Sequence, residues 1–350
     1  MTELHRSEKA PQLDRGRAAK LALVALAAVF LALVPRLSFT QGDTFFWSQI
    51  MISIIYATAT NLLIGYSGLI TFGQAAFFGA GTYSVGMLVT RAGWENILLN
   101  LVAAMVISGF VALVVGALIV RTTGLFFAIL TLAFAQLFFS FVLGESLFGG
   151  EDGISGIVRG DLGPLDLQPV DNFYYFSFAL VLLSVGAMWL IVSSPFGLTL
   201  RSIRDDADRA QFLGVPVRLF KLGVFVIAGI FSGLAGALQG YHTIFASAEV
   251  FGLERSVEPI VMSILGGVPF FFGPALGAVV YEWLRHWLQA RTQSWVLWVG
   301  IGLAVIIVAL RDGILGVADR VSRSLAERQR RRRPAPPLEP PVTMERETVS

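Results

Sequence analysis

The sequence predicts an all-α, polytopic membrane protein with about ten transmembrane helices, some of them broken or re-entrant. Three observations carry that expectation. Hydrophobic residues make up 55% of the 350-residue chain and charged residues only 14%, with a mean hydropathy of +0.71. Such a composition cannot form a polar surface around one core, so lipid must solvate most of the chain. The apolar residues also fall in runs of roughly 20, the length that crosses the hydrocarbon, and backbone groups in lipid must pair within their own segment, which selects helices. Glycine and proline interrupt two of these runs.

The elements follow in order. Residues 1–19 form a cytoplasmic arm, and residues 20–316 form the membrane domain. Spans are expected near 20–39, 44–64, 72–90, 96–120 and 124–143, and after a polar interval near 173–193, 221–241, 257–272, 274–290 and 293–311. Arg15, Arg17 and Lys20 before Leu21–Val34 have the pattern of a signal peptide, but Leu31 to Thr40 offers no small-residue cleavage site. The segment therefore reads as the first span. Residues 317–350, with Arg330 to Arg333 followed by a proline-rich stretch, show no apolar period and read as a disordered tail lying near anionic lipid, not as a nucleic-acid-binding segment.

Orientation follows from lysine and arginine, which stay on the cytoplasmic side. With both termini inside, that side receives 20 of the 26 basic residues, including Arg121, Arg201, Arg204, Arg209, Arg218 and Lys221. The external loops keep acidic residues such as Glu145, Glu151, Asp152 and Asp161.

Absent chemistry narrows the function. The chain has no cysteine, and His5, His242 and His286 lie far apart, so disulfides, thiolate chemistry and a metal site are not expected. No Gly-Lys pair occurs, so there is no phosphate-binding loop and the chain should not itself hydrolyse ATP. No cofactor is called for, and no constellation suited to a lipid-modifying enzyme is visible. Ionisable groups within the spans are few. Glu258, Glu282, Arg285 and His286 are the main ones, and snorkelling to the interface explains Arg285 as readily as a functional role. No ladder of carboxylates suggests a proton relay, which weighs against an ion-coupled transporter.

Four segments depart from plain spans. In 61–83, Gly65, Gly68, Gly73, Gly79 and Gly81 interrupt apolar sequence next to Gln74, and in 264–278 Gly266, Gly267, Pro269, Gly273 and Pro274 do the same. Interrupted segments in two halves of a transporter point to a translocation path or gate. Tight helix packing is the alternative reading, as for Gly229/Gly233, Gly236/Gly240 and Gly273/Gly277 at G-x-x-x-G spacing. The cytoplasmic loop 194–220 holds an amphipathic stretch in which Leu198, Ile203, Ala207, Ala210 and Leu213 recur near helical spacing among mixed charges, until Gly214 and Pro216 stop it. It suits docking in a groove of another protein, or an interfacial position on the membrane. The external loop 144–172 carries Gly149, Gly150, Gly153 and Gly156 around Glu151 and Asp152, which can present an acidic pair to a partner or form a solvated turn.

Taken in order, Gly65 to Tyr83, Phe127 to Gln136, Gly149 to Ile154, Ser194 to Asp206, Leu213 to Val215, Ser263 to Gly267 and Gly273 to Ala278 resemble the branched-chain amino acid ABC transporter permease family, in particular its LivM-type subunit. The likeness runs over roughly residues 44–316. It implies a permease of the bacterial inner membrane that pairs with a LivH-type subunit, is driven by two cytoplasmic ATPases, and receives substrate from an extracytoplasmic binding protein. An ATPase-independent secondary transporter or channel is the rival. By the same resemblance, Arg201, Arg204, Asp205, Asp206, Ala207, Leu213 and Gly214 would lie on the helix that couples to the ATPases. Gly65, Gly68, Gly73, Gln74, Gly266, Gly267, Pro269 and Gly273 would line the path or gate. Gly150, Glu151, Asp152 and Gly153 would meet the external partner. Two positions depart from the family pattern: residues 204–206 read Arg-Asp-Asp where Arg-Glu-Asn is more usual, and Pro269 stands where a third glycine is typical, which puts the turn geometry there in doubt.

Overall fold

A computed structural model of the chain describes residues 41–160, 166–294, 297–302, 313–317 and 320. The expected arm, the first span at 20–39, much of the last span at 293–311 and nearly all of the tail lie outside the described residues. Numbered from the first described helix, the elements are α1 (Gln41–Asn61), a π-helical turn (Leu62–Ser67), α2 (Gln74–Thr90), α3 (Ile97–Ile119), α4 (Gly124–Gly144), β1 (Ile154–Ser155) and α5 (Val170–Ser193). Then come α6 (Pro195–Asp205), α7 (Ala207–Phe212), α8 (Val217–Thr243), β2 (Phe245–Ala246), α9 (Leu253–Gly266) and α10 (Gly273–Gln289).

Among the described residues, α1 with its π turn, α3, α4, α5 and α8 are long and apolar enough to cross a membrane. The chain is therefore a multi-pass membrane protein. Burial sorts these helices: 94% of the apolar window of α1 is buried, against 28% in each of α4 and α5, so α1 is the central helix and α4 and α5 are peripheral. Val106, Phe126 and Leu183 are among the large apolar side chains left outward by α3, α4 and α5.

α8 packs against α1, α2 and α3, while α9 and α10 pack on each other and on α1. The close crossings rest on small residues. A side chain on Gly81 would overlap the carbonyl oxygen of Gly233, and one on Gly236 the carbonyl of Phe78. Backbones that meet this closely can exchange polar contacts: Thr82 Oγ1 donates to Gly236 O at 2.8 Å and Ser108 Oγ to Phe77 O at 3.1 Å. The packing reading of the Gly229/Gly233 and Gly236/Gly240 pairs is thus the one the structure realises.

Among the described residues, three expected spans are shorter than a membrane. α2 and α10 have 17 residues each, and α9 has 14 and ends at Gly266, not at 272. At about 1.5 Å per residue α9 is roughly 21 Å long, less than the ~30 Å hydrocarbon core. The cause lies in the sequence that follows: Gly267 takes φ 113°, and Phe270 N–H closes a turn onto Gly267 O at 3.1 Å. Pro269 sits inside that turn, where its missing N–H removes no bond that closes it. The turn geometry left in doubt by this proline is therefore compatible with it.

Candidate functional site

The first site forms where two glycine-interrupted segments meet α6. Leu62–Ser67 winds as a π turn, and Gly68 follows at φ 70°, a conformation that a side chain would strain. α6 lies against this turn. The Arg204 guanidinium donates to Gly65 O, the Arg204 side chain covers Gly68, and the Arg201 guanidinium stands 5.0 Å from the Tyr66 ring centre. On its other side the turn meets the α9–α10 turn. A methyl group at Gly65 would come within 2.7 Å of Val268 O, and buried Asn61 donates from Nδ2 to that same oxygen at 3.3 Å. Gly266 and Gly273 close against each other at the base of the turn, and Gly313 rests on Gly267.

Arg201, Arg204, Gly65, Gly68, Gly266, Gly267, Pro269 and Gly273, which the sequence placed in two separate groups, thus belong to one junction. Gly73 and Gln74 stand slightly apart from it. Gly73 packs on Thr131, whose Oγ1 accepts from Phe72 N–H at 3.1 Å, and buried Gln74 Oε1 accepts from Ser232 Oγ at 2.8 Å. Gly79 lies against Phe251.

The amphipathic stretch of residues 194–220 is two helices instead of one. α6 ends at Asp205, and Asp206 caps α7, its Oδ1 accepting from Arg209 N–H at 2.9 Å. Ile203 and Ala210 turn inward as the periodicity predicts, but Leu198, Phe212 and Leu213 are exposed. Gly214, at φ 85°, and Pro216 end the segment. The apolar stripe is therefore split, one part buried against the bundle and one part left outward.

At the opposite end, Ile154 pairs with Ala246 and Ser155 with Phe245 in a two-stranded antiparallel ladder. This ladder ties the segment after α4 to the end of α8 and leaves Glu151 and Asp152 exposed, with Gly150 and Gly153 flanking them. Arg159 fastens the loop further. Its Nε donates to Tyr241 O at 3.0 Å and its Nη2 to His242 O at 3.3 Å, and burial pulls its guanidinium below its ordinary pKa.

The same end holds a charged cluster. Arg255 and Arg285 both pair with buried Glu258, at 2.7 and 3.0 Å, so Arg285 turns inward to a carboxylate and does not merely snorkel. Ser53 Oγ donates to buried Glu282 Oε1 at 2.5 Å. His286 lies against Phe46, ring centres 4.6 Å apart. Reading the sequence alone missed Asn61, Ser53, Gln239 and Gly313. For the first three the available signal is a polar side chain inside an apolar run; Gly313 carries none, because its contact depends on how the chain end folds back.

Residues 44–310 match the family model described as branched-chain amino acid transport system / permease component. The chain is 27% identical over 334 residues to the high-affinity branched-chain amino acid transport system permease protein LivM of Escherichia coli, covering 87% of this chain and 77% of the relative. It is also 31% identical over 140 residues to the guanosine ABC transporter permease protein NupP of Bacillus subtilis, covering 39% and 38%. With the D-allose transport system permease protein AlsC of Escherichia coli it shares 23% identity over 308 residues, covering 82% and 89%. No solved structure matches.

Proposed function

Because this chain belongs to the family of permease components of branched-chain amino acid transport systems, we propose that it is one of two membrane subunits of an ATP-driven importer for branched-chain amino acids or related small polar solutes. A LivH-type permease is its partner in the membrane, two cytoplasmic ATPases drive it, and an extracytoplasmic binding protein delivers substrate at the bacterial inner membrane. Both termini face the cytoplasm, in keeping with the bias of lysine and arginine.

One observation supports this reading above the others. α6 holds the Gly65–Gly68 turn through Arg204, and that turn in turn holds Val268 between α9 and α10. A push on α6 from an ATPase thereby reaches two turns that join helices of the bundle, through contacts too close to yield separately. Arg201, Arg204, Asp205, Asp206, Ala207, Leu213 and Gly214 form the coupling segment, with exposed Leu198, Phe212 and Leu213 available to an ATPase groove. Gly65, Gly68, Gly266, Gly267, Pro269 and Gly273 form the gate, with Gly73 and Gln74 beside it. The acidic tip from Gly150 to Gly153 meets the binding protein. ATP binding then shifts the balance between inward-facing and outward-facing states.

Affinity purification of the tagged chain in mild detergent, with mass spectrometry of what co-purifies, tests the assembly. Recovery of a second permease and two ATP-binding proteins is expected. Recovery of the chain alone, under conditions that preserve a known complex, points to an autonomous transporter instead.

A further inference from the structure

α9 and α10 form a hairpin whose two ends are joined by different means. At the turn the backbones touch: a side chain on Gly266 would overlap Gly273 O, and one on Gly277 would overlap Met262 O. At the far end the helices are bridged by the ion pair of Arg285 with Glu258, at 3.0 Å. Gly266, Met262 and Glu258 recur every fourth residue on α9, and Gly273, Gly277 and Arg285 fall at multiples of four on α10, so each set forms one facing ridge. Glu258 lies eight residues from Gly266, roughly 12 Å along the helix. An arginine and a glutamate side chain span a wider gap than glycines close, so the hairpin widens away from its turn.

The far end is arranged to come apart without stranding a charge. Glu258 has a second partner three residues back on its own helix, Arg255 at 2.7 Å, and Arg285 has Glu282 at the same spacing on α10. When the helices part, each charge keeps an opposite one on the helix it leaves with, which avoids the penalty of a lone buried ion. The ion pair also borders open space. Two cavities of about 340 and 320 Å³ have Gln239, Arg255 and Arg285 as walls in common, and the Arg285 side chain is 24% exposed. At the near end, Gly267 takes φ 113°, a conformation suited to glycine, and the adjoining Val268 carbonyl is held by Asn61 beside the Gly65 turn.

We propose that the α9–α10 hairpin is a hinged clamp, with its hinge at Gly267 and its latch at the Arg285–Glu258 pair. Bending at the hinge passes Arg285 from Glu258 to Glu282, parts the far ends of the two helices and joins the two cavities into one passage. The proposal rests on the transport reading and deepens it: movement that α6 delivers to the junction arrives at the hinge, and the latch is the contact that yields.

The chain has no cysteine, so one introduced pair can be labelled without background. Leu253→Cys and Gln289→Cys place nitroxide labels at exposed positions on the far ends of α9 and α10, and pulsed electron–electron resonance of the complex in lipid nanodiscs reads the distance between them. A main shorter distance and a minor longer one are expected. Arg285→Gln should raise the ratio of longer to shorter about three- to tenfold, the scale of a bond whose members are paired again once it breaks, and Arg285→Lys should fall between. A distribution unchanged by Arg285→Gln overturns the latch. A second measurement leaves the ion pair intact: bridging the same two cysteines with a short, reducible cross-linker should lower uptake into proteoliposomes about tenfold or more, and reduction should restore it. Full uptake by the bridged protein overturns the proposal, and this holds even if Arg285→Gln does not assemble. A preparation without ATPases defeats the importer reading instead, and a longer distance favoured by Arg285→Gln in that preparation still upholds the latch.

Discussion

The hydroxyl of Tyr56, in α1, donates at 3.0 Å to the carbonyl oxygen of Arg255, in α9. That oxygen is the one Pro259 leaves without an intrahelical donor, because proline has no N–H to offer the carbonyl four residues earlier. The central helix supplies the missing bond. Tyr56→Phe should therefore lower stability by about 1–3 kcal/mol. In a Pro259→Ala background the carbonyl regains its helical donor, and the same change should cost less than about 0.5 kcal/mol, the limit of additivity for independent sites. Thermal unfolding of the four proteins in one detergent measures the cycle; equal losses in both backgrounds would refute the compensation.

Arg204 reports on coupling. Arg204→Gln removes the charge-assisted bond to Gly65 O, and uptake into proteoliposomes should fall about tenfold or more while the subunit still co-assembles. Arg204→Lys should recover only part of the loss, since an ammonium lacks the guanidinium's reach and planar fork. Full uptake in Arg204→Gln would remove α6 from the coupling route.

Glu258 is matched by two guanidiniums, at 2.7 and 3.0 Å. Glu258→Gln strips the charge and leaves both cations facing one another, which should cost about 3–5 kcal/mol. The thermal midpoint in detergent checks this.

Two glycines should respond in opposite directions. Gly81→Ala collides with the Gly233 carbonyl and should lower the amount of folded protein in the membrane, an overpacking cost of about 1–3 kcal/mol. In α5, Gly186 has open space around it, and Gly186→Ala should be neutral or stabilising by up to about 1 kcal/mol. Quantitative blotting of membranes together with fluorescence-detected gel filtration separates the two.

Charge reversal of the external acidic pair, Glu151→Lys with Asp152→Lys, should slow association of the binding protein and reduce its salt dependence while leaving dissociation nearly unchanged, as for charges on an interface rim. Surface-plasmon measurements at two ionic strengths give both rates. Unchanged association would assign the pair to a solvated turn.

The glycine and proline motifs were legible in the sequence as interruptions, but their partners were not. Gly65 and Gly266 each stood out as a break in an apolar run, and each had packing and gating as rival explanations. The structure gives each a packing partner: Gly266 admits Gly273, while Gly65 admits Val268 and receives Arg204. The split at Asp206 was hidden for another reason: a cap that ends one helix and begins the next preserves the hydrophobic period across the break.

By itself the sequence determined that the chain is helical and lives in lipid, where glycine and proline interrupt its apolar runs, and which family it belongs to. These follow from composition, from the length of apolar runs and from local backbone preference, all of which act within about 20 residues of chain. Only the tertiary structure decided that α1 is the central helix, that Tyr56 repairs the break made by Pro259, and that Arg204, Gly65 and Val268 form one junction. Between helices already in lipid no difference in hydrophobicity selects the partner, so close packing and the pairing of buried polar groups make the choice, and both depend on residues far apart in the chain.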